Sequence, residues 1–202
     1  MAAPIDLEGL AAACGACHLC PLAAGRQQVV VGRGNPQARL MVIGEAPGAQ
    51  EDASGLPFVG RSGQLLDQLL AEAAIDPHHD AYIANVVKCR PPQNRKPTRA
   101  ELAACLPWLE QQVQLVNPAV VLLAGASAMD AVLGIRGGIT RLRGQWHQSE
   151  TPWLRGRWLM PVLHPSYLLR NPSRQQGSPL WHTKCDLQEV RRRLDPPAGQ
   201  LL

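Results

Sequence analysis

Cys14-Gly15-Ala16-Cys17-His18-Leu19-Cys20 sets three thiols at intervals of two residues, a spacing that gathers sulfurs as metal ligation requires. A ligand set needs a fourth member, and the run alone does not say which of its cysteines serve. Cys89 and, after fifteen intervening residues, Cys105 complete a four-thiolate set with Cys17 and Cys20, drawn from separate stretches of chain. Four thiolates suit a structural zinc ion or an iron–sulfur cluster, and spacing does not choose between them. A second reactive stretch runs from Gly44-Glu45-Ala46-Pro47-Gly48-Ala49-Gln50-Glu51-Asp52 to Gly55-Leu56-Pro57-Phe58-Val59-Gly60-Arg61-Ser62-Gly63. Its glycines permit close backbone approach to a ligand, Glu45, Glu51 and Asp52 supply carboxylates, and Phe58 is the only phenylalanine in the chain. Further on, Asn85 interrupts an apolar run and, as a buried amide, needs polar partners; a sheet-capping bond or the polar edge of a ligand would meet that need.

These stretches are far apart in sequence, so a scaffold must bring them together. The apolar run Leu40-Met41-Val42-Ile43 and those at 82–87, 118–124 and 158–163 read as four core strands; residues 29–37 read as an edge hairpin or turn. Between them, helical spacing is clear at 7–14, 62–73, after the capping box Thr98-Arg99-Ala100-Glu101, at 126–133 and over roughly 180–194. That alternation predicts an α/β fold: a three-layer α/β/α sandwich around a four-stranded, mainly parallel sheet. The Gly44 loop follows a strand, which is where open α/β sheets place ligands.

The 202 residues are expected to form one domain over 1–195, with a Pro-rich tail at 196–202 expected to be disordered. A formal charge of +4 suits a polyanionic partner. Two basic stretches, Arg90–Arg99 and Arg136–Arg143, read as phosphate contacts, whereas Arg191-Arg192-Arg193 reads as a solvated helix end complementing its dipole. No apolar run approaches about 18 residues, so no membrane partner is expected. Met1–Glu8 lacks the pattern of a signal peptide, which predicts a reducing, cytoplasmic setting with thiols or metal ligands rather than disulfides.

Taken in order, Cys17-His18-Leu19-Cys20-Pro21-Leu22, Gly44-Glu45-Ala46-Pro47-Gly48, Leu56-Pro57-Phe58-Val59-Gly60, Asn85-Val86-Val87-Lys88-Cys89-Arg90-Pro91-Pro92, Asn94-Arg95-Lys96-Pro97, Cys105 and His164-Pro165-Ser166-Tyr167-Leu168-Leu169-Arg170 resemble the iron–sulfur, family 4 uracil-DNA glycosylases over nearly the whole chain. The resemblance implies an enzyme that hydrolyses the N-glycosidic bond of deoxyuridine in single- or double-stranded DNA and leaves an abasic site, acting as a monomer. It implies one 4Fe–4S cluster on Cys17, Cys20, Cys89 and Cys105, with Cys14 and Cys185 as non-ligands. It further implies that Gly44, Glu45 and Ala46 line the uracil pocket, Phe58 stacks on the base, Asn85 reads its Watson–Crick edge and His164 contacts O2.

Hydrolysis of that bond leaves positive character on the sugar and negative charge on uracil O2, so His164 is the expected donor, and Glu45 or Glu51 the expected partner of the water. Ala49 and Gln50 stand where acidic residues are frequent in the family, so the loop departs there from the commonest pattern. DNA contacts are expected from Arg90, Arg95, Lys96, Arg141 and Arg143, and from Ser166, Tyr167, Leu168, Leu169 and Arg170, whose loop would wedge into the space left by the flipped base. The competing expectation is a uracil- or abasic-DNA-binding module without turnover.

Overall fold

The computed structural model describes residues 6–195; the expectation for 196–202 falls outside them. In chain order the elements are α1 (Leu7–Gly15), β1 (Arg33–Gly34), β2 (Leu40–Gly44), α2 (Ala49–Ser54), α3 (Arg61–Glu72), β3 (Ala81–Asn85), α4 (Arg99–Val116), β4 (Val120–Ala124), α5 (Ala126–Leu133), α6 (Ile139–Leu142), β5 (Trp158–Val162), α7 (Pro165–Arg170) and α8 (Pro179–Leu194). The strands form one sheet in the order β1-β3-β2-β4-β5, with β2 to β5 parallel and β1 antiparallel to β3.

The sheet therefore has five strands, not four. The extra one, Arg33–Gly34, comes from the stretch read as an edge hairpin or turn, and two residues are too few to show an alternating pattern. Every residue of β2, β3 and β4 is buried, as parallel strands covered on both faces must be. Alternate side chains enter opposite cores. Leu40, Val42, Ile83, Leu122 and Met160 meet Leu69 and Leu70 of α3, Leu168 of α7 and Leu187 and Val190 of α8. Met41, Ile43, Ala84, Val121, Leu123 and Leu159 meet Leu109 and Val113 of α4 and Ala128 and Val132 of α5. The expected three layers follow from that alternation.

Because four strands run in parallel, their carboxyl ends lie along one rim. Gly44, Asn85, Ala124 and Val162 close those strands, so the loop after Gly44 and the turn at His164 open on the same edge. Two stretches expected to be loops there are short helices. Gly48 starts α2 and His164 caps α7; each helix has six residues, too few for a helical period to show. A third, α6, lies in the Arg136–Arg143 stretch. At the far side of the sheet, His147 pairs antiparallel with Leu159, and Pro161 lies within β5.

Two basic stretches take on structural work. Arg143 does not face outward as a phosphate contact: its guanidinium forms a two-pronged pair with Asp186 of α8, which is 3% exposed, and Nε donates to Asp186 Oδ2 at 2.6 Å. Arg193 lies over the rings of Trp146 and Trp158, 4.5 and 4.1 Å from their centres, so the end of α8 is fastened to β5 rather than merely solvated. Asp186→Ala strands a partly buried guanidinium and is expected to lower unfolding free energy by about 3 kcal/mol in a denaturant melt. Arg141→Ala, at an exposed position, is expected to change it by less than about 0.5 kcal/mol.

Candidate active site

A cleft of about 600 Å³ opens at the carboxyl rim, and Glu45, Ala46, Phe58, Asn85 and His164 all line it. Gly44 lies beneath them, opposite Asn85 in the parallel register. A Cβ on Gly44 would fall 2.4 Å from Asn85 Oδ1 and 2.5 Å from Phe58 Cζ, so the bare backbone is what lets ring and amide sit side by side. The ladder continues past the strands, where Val86 N donates to Gly44 O and Val87 N to Glu45 O, and this fixes the base of the cleft. Asn85 is 2% exposed, and its side-chain amide has no hydrogen-bond partner among the described residues. A buried amide with unused donors and acceptor is suited to a ligand's polar edge.

Phe58 is held by several independent contacts. Its φ of 54° is left-handed, unusual for a bulky residue. Arg33 donates to Pro57 O at 2.8 Å and to Phe58 O at 3.3 Å while pairing with Asp67. Beneath it, a Cβ on Gly63 would come within 1.8 Å of Phe58 O, so α3 can pack this closely only with glycine there. The Phe58 and His164 rings lie 6.0 Å apart with planes tilted by 35°, flanking one space.

Glu45 and Glu51 differ in what they already hold. Glu51 Oε1 accepts from Val59 N (3.0 Å) and Gly60 N (2.8 Å), and Oε2 accepts from Gly48 N (3.1 Å). It therefore caps α2 and ties that helix to the Phe58 loop. Glu45 also lines the cleft, and its carboxylate has no hydrogen-bond partner among the described residues. Ala49 and Gln50, the departures from the family pattern, lie exposed in the first turn of α2 at the cleft wall.

His164 Nδ1 accepts from Ser166 N at 3.1 Å and lies 2.8 Å from Ser166 Oγ. An Nδ1 that accepts a backbone hydrogen bond assigns the ring hydrogen to Nε2. Burial, and then the charge of Arg170, lower the His164 pKa to about 4, so the ring is neutral at pH 7. Ser166, expected as a DNA contact, thus orients His164.

The remaining expected DNA contacts divide by exposure. Leu168 is 1% exposed and packs in the core under α7, so it is not a wedge; its neighbour Leu169 is 36% exposed, beside exposed Arg170. The one-residue difference reflects the turn of α7, which points successive side chains to different sides. Tyr167 packs partly against the same core. Lys96 lines the cleft with Arg95, but Arg95 is committed to Glu101 through two bonds of 2.8 and 2.7 Å, and Arg90 Nε donates to Asn94 Oδ1 within its own loop. Arg61 and Ser127 also line the cleft and were not anticipated. Arg61 adjoins the Phe58-Val59-Gly60 motif, which was the available signal.

A second cavity is lined by Cys14, Cys17, Cys20, Cys89 and Cys105 together with Arg26, Lys88 and Trp108. The four-thiolate set thus converges, and Cys14 joins it. Burial drives the Cys14 thiol up to about 12 and the Cys105 thiol up to about 11, so a metal binding here would displace protons. Arg26 clamps this wall, donating from Nη1 to Cys17 O (2.7 Å) and to Cys89 Sγ (3.5 Å), and from Nη2 to Gly15 O (3.2 Å). Trp108 Nε1 is buried without a hydrogen-bond partner among the described residues. A group rich in sulfur acceptors would fit both the thiols and that N–H.

Residues 31–188 match the family model described as the uracil DNA glycosylase superfamily. Three relatives narrow the match, each a protein named type-4 uracil-DNA glycosylase. That of Thermotoga maritima is 48% identical over 160 residues, covering 79% of this chain and 81% of the relative. That of Pyrobaculum aerophilum is 37% identical, covering 84% and 87%, and that of Sulfurisphaera tokodaii is 37% identical, covering 78% and 73%. The chain belongs to the uracil DNA glycosylase superfamily, in its family 4 branch.

Glu51→Ala releases three backbone N–H groups at once. It is expected to lower unfolding free energy by about 2 kcal/mol in a thermal or denaturant melt, with Glu51→Gln recovering part of the loss.

Proposed function

We propose that the chain is a DNA-repair hydrolase that removes uracil from DNA by cleaving the N-glycosidic bond of deoxyuridine, releasing free uracil and leaving an abasic site. The observation that carries this is the convergence of an aromatic face, an unpartnered amide, a neutral imidazole and an uncommitted carboxylate, Phe58, Asn85, His164 and Glu45, in one cleft of a chain of this family. A base must leave the helical stack to enter such a cleft.

In this reading uracil lies against Phe58, and the Asn85 amide pairs with O4 and N3–H, an arrangement that the N4 amine of cytosine would oppose. His164 donates from Nε2 to O2 as negative charge develops there. A neutral donor already oriented by Ser166 needs little reorganisation during the reaction. Glu45 orients the attacking water and offsets the positive sugar; Glu51 is left out of that role because its oxygens already serve Gly48, Val59 and Gly60. No lysine is assigned as a nucleophile, so the abasic strand is the product. Lys96, Arg141 and Arg170 would meet phosphates, and Leu169 would fill the gap left by the flipped base.

Cys17, Cys20, Cys89 and Cys105 would hold one 4Fe–4S cluster, which would cross-link the loop after α1, the loop after β3 and α4 into one wall. The proposed setting is the cytoplasm with the chromosome, and the proposed working unit a monomer over residues 1–195. Among the described residues, no helix is long and apolar enough to cross a membrane.

Incubation with uracil-containing oligonucleotides should release free uracil and give alkali-labile strands; binding without product over hours would identify a binding module instead. Glu45→Gln is expected to cut single-turnover cleavage by about 10²–10⁴-fold while binding of uracil-DNA changes only a few-fold. The pH profile is a further check. A histidine with its pKa lowered to about 4 stays neutral throughout the range above that value, so cleavage should show no step near pH 6.5 that vanishes in His164→Ala. A half-maximal loss at pH 6.5 traced to His164 would show an ordinary, solvated ring.

A further inference from the structure

The cysteine cavity holds one thiol more than a four-ligand cluster uses. The Cys14-to-Cys20 run contains two overlapping Cys-x2-Cys pairs, 14 with 17 and 17 with 20, that share Cys17. Both outer members line the cavity with Cys89 and Cys105. Cys14 is not a stray surface thiol: it is 1% exposed at the end of α1 and packs in the same small core as Cys89, Cys105 and Trp108, with Cys17 and Cys20 against it. A turn in which Cys17 N donates to Cys14 O at 3.0 Å connects the two residues, and Arg26 fixes both Gly15 O and Cys17 O, so the 14-to-17 pair is presented as rigidly as the cavity wall itself. Cys20 is partly exposed, as Cys17 is, and unlike Cys14 it sits at the start of a short turn, next to Leu19, which is 61% exposed.

Resting on the reading of this cavity as a cluster site, we infer that Cys14 and Cys20 are interchangeable ligands at one corner, with Cys17, Cys89 and Cys105 common to both states. In the exchange the Cys14 thiol gives up its proton and its sulfur binds the iron; the Cys20 sulfur leaves that iron and takes up a proton. No electron is transferred and no other reactant is needed. The buried thiol guards a corner whose usual ligand is partly exposed, so loss of Cys20 to alkylation or oxidation does not empty the site.

The test uses full-length chains reconstituted anaerobically with ferrous iron and sulfide, with iron and acid-labile sulfide measured per folded chain and the visible absorption recorded. Wild type, Cys14→Ser and Cys20→Ser should each hold about the same iron and keep the absorption band. Cys17→Ser, Cys89→Ser and the Cys14→Ser/Cys20→Ser double variant should lose it. A Cys20→Ser chain that is folded and empty while Cys14→Ser is loaded overturns the exchange and leaves the cluster reading intact; a wild-type chain that takes up no iron overturns the cluster reading itself. Should Cys20→Ser not fold, iron release to a chelator decides: release several-fold faster from Cys14→Ser than from wild type supports the exchange, and equal rates overturn it.

Discussion

An ammonium group sealed from solvent joins the floor of the cleft to the cysteine wall. Lys88 is 1% exposed; its Nζ donates to Asn85 O at 2.6 Å and to Gln112 Oε1, and its backbone N donates to Cys105 Sγ at 3.2 Å. Gln112 in turn donates to Val31 O and to the Tyr82 hydroxyl. Burial lowers the Lys88 pKa to about 8, with the Cys105 and Cys14 thiols acting in the other direction. A charge buried this deeply is tolerated only where its donors are met, so the end of β3, the middle of α4 and the cysteine wall must keep their mutual positions. Asn85 sits on one side of this junction and Cys89 on the other, four residues apart.

A similar economy governs the other side of the cleft. Asp52, 2% exposed in α2, accepts from Gln27 N at 2.9 Å, and Gln28 Nε2 donates to Ala53 O at 2.6 Å. Residue 26 grips the cysteine wall and residues 27 and 28 grip α2, so one short segment touches both. Glu51 then carries the restraint from α2 to the Phe58 loop. Carboxylates in the first turn of a helix are favourable in any case, which is why two acidic residues can do positional work there at little cost.

Much of this was legible in the sequence, and the reasons are physical. Long amphipathic helices and uninterrupted apolar strands announce themselves because burial repeats at a fixed period; so did Thr98 with Glu101, whose capping box formed as read. Phe58 and Asn85 stand out by chemical type, a lone Phe and an Asn inside a strand, whereas His164 is marked by the family resemblance. What stayed hidden depended on partners distant in the chain. Nothing local tells Arg143, which finds Asp186, from Arg141, which stays in solvent. Nothing local separates Leu168 from Leu169, since only the packing of α7 does so. Sequence favours Glu45 for the pocket but leaves Glu51 close behind as the partner of the water; the backbone amides around Glu51 separate them.

The two margins of the sheet carry a consequence of their own. One ends in a strand of two residues, and the other is crossed by His147, with Pro161 removing a donor from β5. Open strand edges invite other chains to add to them, and truncation, a covering bridge and proline are each ways of refusing that invitation. With both margins blunted, neither edge of the sheet among the described residues presents a long open ladder to another strand. The cleft opens elsewhere, at the carboxyl rim, so a ligand enters it without having to pair with a strand.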